Sequence, residues 1–296
     1  MRKRRTDRLC LVLCLVLLCS LIGCGELPAE TDTGTSESES ASRSEWWTEE
    51  ETEEPEVLYD YATDPDETVL DVGEDSRYLL LVNREHPLGE GYVPENLIRL
   101  EEVPTTYPMD LEARTAAALG AMLREMAADG VDSTDLSVTS AYRSYRLQEE
   151  LFKGYLAAEL NGGFSAEAYA FFGEAYIRES YLDKGLSKLT DEDAFLVARS
   201  YSAEAGQSEH QSGLCVDFIT DDMNDSLTVA FEEKEEFLWL RENAHQFGFI
   251  LRYPKEKESV TGYTYEPWHY RFVGRAAATE IYLGGLTLEE YLAAHS

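Results

Sequence analysis

The spacing of apolar and polar residues predicts a domain of short strands and longer helices over residues 76–296. Between residues 213 and 219, Leu214, Val216 and Phe218 alternate with other residues, as in a strand with one apolar face. Strands are expected at 78–82, 137–140, 213–219, 249–252 and 266–269. Helices are expected at 110–129, 147–160, 165–184, 232–247, 276–283 and 288–293. These elements indicate an α+β fold, in which helices pack on a small antiparallel sheet.

The first 24 residues have the pattern of an export signal. A basic segment at 2–5 precedes an apolar run from about Leu9 to Gly23, which is too short for a comfortable membrane span. The run ends in Leu-Ile-Gly-Cys24, which resembles a bacterial lipobox. We therefore expect cleavage before Cys24, lipidation of its thiol, and an extracytoplasmic domain anchored to the outer face of the cytoplasmic membrane. An ordinary signal peptide or an uncleaved anchor are the alternatives, and both also place the domain outside.

Residues 25–75 are acidic and contain few aliphatic side chains, with acidic runs at 36–40 and 49–55. Such a segment buries too little apolar area to offset the entropy lost on ordering, so we expect a disordered tether. The chain has 58 acidic and 25 basic residues and a formal net charge of −33. This balance argues against nucleic acid as a partner. Cys215 is the only cysteine after Cys24, so the exported domain can form no internal disulfide. We expect a monomer.

Two short stretches carry candidate chemistry, at 208–217 and 266–269. They supply His210, Asp217 and His269, together with Glu266 three residues before the second histidine. Catalytic zinc usually has three protein ligands and an open position for water, and a neighbouring carboxylate can act as the base. Each stretch alone is a weak signal, but their joint occurrence predicts one Zn²⁺ held by the two histidines and Asp217, with Glu266 as base. Trp268 is expected to form a wall of this site.

These stretches also resemble a known family. The patterns Ser-x-His-x-x-Gly-x-x-x-Asp and Glu-x-Trp-His are similar to those of VanY-type zinc D-Ala-D-Ala carboxypeptidases, and the resemblance extends over residues 77–296. Further matching segments lie at 79–88, 92–97, 140–148, 243–249, 252–254, 261–263 and 266–274. The resemblance implies the Hedgehog/DD-peptidase-like α+β architecture. It also implies the same zinc ligands and the same base.

The resemblance further implies that Arg143 reaches the carbonyl or carboxylate of the substrate. A guanidinium suits either role, because it can pair with a carboxylate bidentately or stabilise developing negative charge. Ser208 and Gln148 are expected to contact the substrate, and for Ser208 a purely structural role is equally compatible with the sequence. For Arg146 and Arg271, structural and functional roles both remain open.

The chain departs from the family pattern at two places. Cys215 stands where a small residue such as alanine is usual, and we interpret it as a small buried residue rather than a ligand. The segment 149–207 is longer than expected and predicts a helical insertion with a break at residues 161–163. This insertion either lines the cleft or decorates the surface, and the sequence does not decide between them.

The expected function is removal of the terminal D-alanine from peptidoglycan stem pentapeptides. Three alternatives remain open. An L,D-carboxypeptidase would trim tetrapeptide stems, an endopeptidase would cut L-Ala–D-Glu, and a non-catalytic module would only bind the cell wall. The continuation at 270–274 favours a carboxypeptidase over the endopeptidase, and the intact ligand set with Glu266 argues against a binding module.

Overall fold

The computed structural model describes residues 59–224 and 226–296. The predicted signal at 1–24, the lipidation site Cys24 and the tether as far as residue 58 lie outside the described residues. Within the described part of the chain, no helix is both long and apolar enough to cross a bilayer.

The fold is built on a four-stranded antiparallel sheet. Its strands are β3 (Leu136–Ser140), β4 (Cys215–Thr220), β5 (Phe249–Leu251) and β6 (His269–Phe272), and their order is β3-β4-β6-β5. A separate antiparallel pair is formed by β1 (Leu97–Arg99) and β2 (Asp110–Glu112). The predicted α+β class with a small antiparallel sheet is confirmed.

Ten α-helices of the described residues surround these strands. They are α1 (Glu67–Leu70), α2 (Ala113–Ala128), α3 (Tyr145–Asn161), α4 (Ala166–Phe172), α5 (Glu174–Ser180), α6 (Asp191–Tyr201), α7 (Glu235–Asn243), α8 (Glu258–Thr261), α9 (Arg275–Gly284) and α10 (Leu288–Ala294). Short 3₁₀ helices lie at Ser76–Leu79, Leu182–Lys184, Glu209–Ser212, Asp221–Met223, Val229–Glu233 and Ala244–Phe247.

The sheet has a core face and a second face. Val216 and Phe218 of β4 share the main hydrophobic core with Leu119 and Met122 of α2. Because side chains alternate along a strand, residues 215 and 217 point to the opposite face. Packing of the apolar face against α2 therefore holds β4 in place, and the opposite face of the strand can carry polar side chains.

Several predicted elements have different bounds in the structure. The expected strand at 78–82 is wrong: residues 76–79 form a 3₁₀ turn, in which the Asp75 side chain accepts a hydrogen bond from Arg77 N. The expected helix at 110–129 begins only at Ala113, because residues 110–112 pair with β1 and the Glu112 side chain caps the helix through Thr115 N. The expected strand at 266–269 begins at its last residue, His269.

Packed structure also begins earlier than the predicted domain start at residue 76. Leu70 is fully buried, and Tyr61 packs against Phe247 with ring centroids 5.4 Å apart. The Glu125 carboxylate accepts a hydrogen bond from Thr63 N at 2.8 Å. The predicted tether boundary at residue 75 is therefore too late, because this segment buries apolar side chains against the domain.

The predicted insertion at 149–207 is helical and comprises most of α3 together with α4, α5 and α6. It has a hydrophobic cluster of its own, distinct from the main core. The fully or nearly fully buried members are Ala168, Ile177, Tyr181, Leu189, Ala194 and Val197. The insertion is therefore a part of the domain with its own packed core rather than an unstructured loop.

Candidate active site

The two predicted motifs meet on the polar face of the sheet. Asp217 of β4 lies directly opposite His269 of β6 in the strand register, so both side chains leave the same face. His210 comes from the 3₁₀ turn before β4, whose first turn is capped by the Ser208 side chain and which ends at Gly213 with φ +68°. All three side chains are buried. The structure thus places the three residues that the sequence offers as metal ligands next to one another.

The three side chains are within contact distance of one another. His210 Nε2 lies 3.0 Å from Asp217 Oδ2, and His269 Nδ1 lies 2.9 Å from Asp217 Oδ1. Burial alone would raise the pKa of Asp217, but the two neighbouring imidazoles outweigh it and hold that pKa well below the usual range. The carboxylate is thus an anion placed between two imidazole rings.

The hydrogen bonds indicate which nitrogen of His210 is free to bind a cation. Nδ1 lies 2.7 Å from the carbonyl oxygen of Ala141, which can only accept, so Nδ1 carries the proton. Nε2 then presents a lone pair toward Asp217. His210 Nε2 and Asp217 Oδ1 are buried and each lies within 3.0 Å of a polar atom of the cluster, but within the described residues neither forms a hydrogen bond. Buried polar atoms are normally satisfied, and a divalent cation bound between these donors would satisfy both.

Glu266 lies beside this cluster, just before β6. Its Oε2 is 3.7 Å from His269 Nδ1, and its backbone N–H donates to Tyr253 O at 3.1 Å. Desolvation raises the pKa of its carboxyl to about 7, although the positive charges of His269, His210 and Arg143 oppose this rise. The carboxylate is therefore close enough to the donors to share a water molecule with them.

Arg143 follows β3 and lines the same cleft as the donor cluster. Its backbone N–H donates to His210 O at 3.0 Å, and its Nη2 donates to Ser208 Oγ at 3.4 Å. One cleft of about 530 Å³ contains every residue predicted for the site. Its walls include Arg143, Gln148, Ser208, His210, Asp217, Glu266, Trp268 and His269. Arg146 instead forms an exposed ion pair with Glu90.

The helical insertion forms one wall of this cleft. Tyr155, Glu167 and Tyr201 of the insertion line it together with the donor cluster. Gln148, a predicted substrate contact, is buried and donates through Nε2 to Ala203 O at 2.6 Å, so it also joins α3 to the end of the insertion. Of the two roles that the sequence left open for the insertion, lining the cleft is the one observed.

Sequence reasoning missed one residue of this region, Glu209. Its carboxylate is fully buried and contacts Arg252 Nε at 2.8 Å, Arg271 Nη1 at 2.7 Å and His269 Nε2 at 3.5 Å. Burial would raise the pKa of Glu209, but the two guanidinium groups hold it far below the usual range. Glu209 therefore stays ionised and orients His269 from the side opposite Asp217. Nothing in the sequence pairs it with arginines 43 and 62 residues away.

We expect Glu209→Gln to lower the free energy of unfolding by about 3–5 kcal/mol, because it leaves two buried guanidinium groups without their shared counter-charge. Metal affinity should fall about 10–100-fold, since the orienting partner of His269 is weakened. Denaturant unfolding and a metal-competition titration measure the two effects.

Glu289→Gln is the matched control for this variant. Glu289 pairs with Arg252 Nη2 at 2.6 Å, as Glu209 pairs with the same guanidinium, but it makes none of the Glu209 contacts to His269. This control should lose some stability and keep its metal affinity. An equal loss of metal affinity in both variants would show that Glu209 acts through general stability alone.

Cys215 also belongs to this face of the sheet. It is fully buried, as the sequence predicted. The donor atoms of His210, Cys215 and His269 all lie within 4.8 Å of one another. Burial raises the pKa of the thiol, but the two imidazoles outweigh it and lower that pKa to about 7. The thiol is thus next to the metal-binding donors rather than in an apolar environment.

Comparison with known proteins identifies the family. A family model described as VanY, D-alanyl-D-alanine carboxypeptidase, matches residues 108–275. A D-alanyl-D-alanine carboxypeptidase from Enterococcus faecalis is 34% identical over 236 residues, covering 78% of this chain and 73% of the relative.

Solved structures agree with this assignment. The LdcB LD-carboxypeptidase is 30% identical, with a TM-score of 0.54 and coverage of 74% of this chain and 88% of that chain. A D,D-pentapeptidase VanY mutant from a VanB-type resistance cassette, in complex with Zn(II), is 34% identical, with a TM-score of 0.52 and coverage of 73% and 99%. The chain therefore belongs to the VanY family of D-alanyl-D-alanine carboxypeptidases, and it is a metallo-carboxypeptidase.

Proposed function

We propose that this enzyme is a zinc-dependent carboxypeptidase that removes the terminal D-alanine from peptidoglycan stem pentapeptides. The convergence of His210, Asp217 and His269 with Glu266 and Arg143 in one cleft carries this proposal. His210, Asp217 and His269 would hold one zinc ion. When bound, zinc would supply a Lewis acid that polarises the scissile carbonyl and lowers the pKa of a water molecule to about 7.

Glu266 acts as the general base in this proposal. Its carboxylate accepts a proton from the water that attacks the scissile carbonyl, and it passes that proton to the amine of the departing D-alanine. Its position supports this role, because it lies 3.7 Å from a ligand nitrogen without taking the place of a ligand. One residue can therefore serve both proton transfers without moving away from the reacting atoms.

Arg143 would bind the terminal carboxylate of the peptide or the oxygen on which negative charge develops. Its backbone bond to His210 O and its side-chain bond to Ser208 Oγ fix the guanidinium relative to the donors. Ser208 therefore orients Arg143 in addition to any contact with substrate. We propose that Gln148 and Trp268 contact the substrate from the walls of the same cleft.

An L,D-carboxypeptidase is the second candidate, and the similarity to the LdcB LD-carboxypeptidase favours keeping it. Both activities use the same attack on a terminal peptide bond, so the donor set does not separate them. The difference must come from how the cleft accommodates the residues before the scissile bond. Part of that surface is the insertion wall formed by Tyr155, Glu167 and Tyr201.

Incubation of the purified protein with a muropeptide mixture, followed by mass spectrometry, tests the proposal. We expect each pentapeptide stem to lose one alanine while tetrapeptide stems remain intact. Loss of alanine from tetrapeptides alone would replace the proposal with the L,D activity. Products unchanged in the presence of zinc would exclude both activities. Glu266→Gln protein in parallel shows whether any cleavage comes from this site.

We also propose that the enzyme works on the outer face of the cytoplasmic membrane, anchored by lipid on Cys24, as a monomer without nucleic-acid partners. The basic and apolar pattern of residues 1–24 supports the anchor. Metabolic labelling with a clickable fatty acid should mark the wild-type protein and leave Cys24→Ala unlabelled. Equal labelling of both proteins would show that Cys24 is not the lipidation site.

A further inference from the structure

Cys215 is a reactive side chain next to the site, and the proposed mechanism leaves it without a role. It lies two residues before Asp217 on β4, so both side chains leave the same face of the sheet. Its cross-strand neighbour is Arg271, whereas that of Asp217 is His269. The thiol is fully buried and forms no disulfide within the described residues.

The sulfur lies close to the two imidazoles that the site would offer to a metal. The donor atoms of His210, Cys215 and His269 are all within 4.8 Å of one another. Zinc binds sulfur at about 2.3 Å and imidazole nitrogen at about 2.0–2.1 Å, so two ligands of one ion lie up to about 4 Å apart. Shifts of less than about 1 Å, within the range of side-chain rotations, would bring all three donors onto one ion.

A second observation points to a cation at this place. His210 Nε2 and Asp217 Oδ1 are buried and form no hydrogen bond within the described residues, although other polar atoms of the cluster lie within 3.0 Å of them. The other nitrogen of His210 is already committed to Ala141 O. His210 also belongs to the group of donors, within 4.8 Å of one another, that contains the Cys215 sulfur. A thiol that only filled space would be surrounded by apolar groups, whereas this one adjoins two imidazoles.

We propose that Cys215 is a sulfur ligand of the metal, so that this chain holds its ion with a thiolate in addition to His210, His269 and the Asp217 carboxylate. The inference rests on the proposed metal-dependent function for the presence of the ion. Thiolate is a strong ligand for zinc. Cys215 therefore tightens metal binding as a fourth protein ligand. Zinc can expand to five ligands, so the water that the proposed function requires would bind beside these four protein groups.

X-ray absorption at the zinc edge of the full chain tests the sulfur ligand directly. We expect a sulfur scatterer at about 2.3 Å in the wild-type protein, and only nitrogen and oxygen scatterers in Cys215→Ala. The other cysteines are present in both proteins, so the difference reports on Cys215 alone. A wild-type spectrum without sulfur, or a sulfur shell that survives in Cys215→Ala, would overturn the proposal.

Two further measurements separate a ligand from a packing residue. Cobalt-substituted wild-type protein should show a thiolate-to-cobalt charge-transfer band that Cys215→Ala lacks, and metal affinity should fall at least about tenfold in the variant. Val216→Ala, on the core face of the same strand, should keep the band and the affinity. Loss of affinity in both variants, with no such band in the wild type, would indicate a packing effect and contradict the ligand role.

Elemental analysis distinguishes failure of this inference from failure of the proposed function. Wild-type protein that binds one zinc per chain without a sulfur scatterer keeps the metal-dependent function and loses only the role of Cys215. Wild-type protein that binds no metal at this site removes both.

Discussion

Glu266→Gln is expected to bind zinc with wild-type stoichiometry and to lose about 10²–10⁴-fold in the rate of peptide hydrolysis. The substitution keeps the shape and volume of the side chain but removes the group that accepts a proton. It leaves His210, Asp217 and His269 unchanged, so metal binding should persist. Release of D-alanine from a synthetic pentapeptide measures the rate, and elemental analysis measures the metal.

The matched control for this variant is Glu256→Gln. Glu256 is an exposed carboxylate ten residues earlier in the chain and is not part of the cleft. Its substitution should leave both rate and metal content unchanged. A wild-type rate in Glu266→Gln would exclude the residue as the base. Loss of zinc from that variant would instead identify Glu266 as a ligand.

His210→Ala is expected to bind zinc at least about 100-fold more weakly than the wild-type protein and to lose activity in proportion to the metal lost. The expected loss is larger than the roughly 10–100-fold cost of removing a residue that only orients a ligand. The substitution also leaves the buried Asp217 carboxylate without one of its two neighbours. Elemental analysis after dialysis against a chelator is the measurement.

His295→Ala is the control for this second variant. His295 is half exposed, pairs with Glu280 and is not among the residues that line the cleft. It should keep a full complement of metal. Full zinc occupancy in His210→Ala would contradict the ligand role and would point to a site built from other donors.

The buried ion pairs around Glu209 connect the strands that carry the site. Arg252 lies next to the end of β5 and Arg271 lies within β6, and their guanidinium groups meet at one carboxylate. Arg271 also donates to the backbone oxygens of Tyr78 and Leu80 at 3.1 and 2.8 Å. The sequence left a structural and a functional role open for Arg271, and these contacts favour the structural one. Because the Arg271 side chain satisfies these two carbonyl groups, they need no neighbouring strand, which agrees with the absence of the expected strand at 78–82.

Comparison of the predicted and observed helices shows where the local pattern of apolar residues was sufficient to predict a helix. The helix expected at 147–160 is α3, and the C-terminal helices expected at 276–283 and 288–293 are α9 and α10. The expected helix at 232–247 is instead α7 flanked by two 3₁₀ segments, ending at Gly248 with φ +83°. Periodicity locates an amphipathic segment, but the type of each turn depends on the surface against which it packs.

The sequence alone determined which side chains are proposed as metal ligands and as base, because that chemistry requires particular residue types within two short motifs, and the family resemblance added Arg143 to them. It also determined the α+β class, since strand and helix periodicities are local properties of the chain. The tertiary structure decided the rest: the place of Glu209 between two arginines, the insertion as a wall of the cleft, the packing of residues 59–75, and the position of the Cys215 sulfur beside two imidazoles. Each of these depends on contacts between residues tens of positions apart, whose pairing no local pattern encodes.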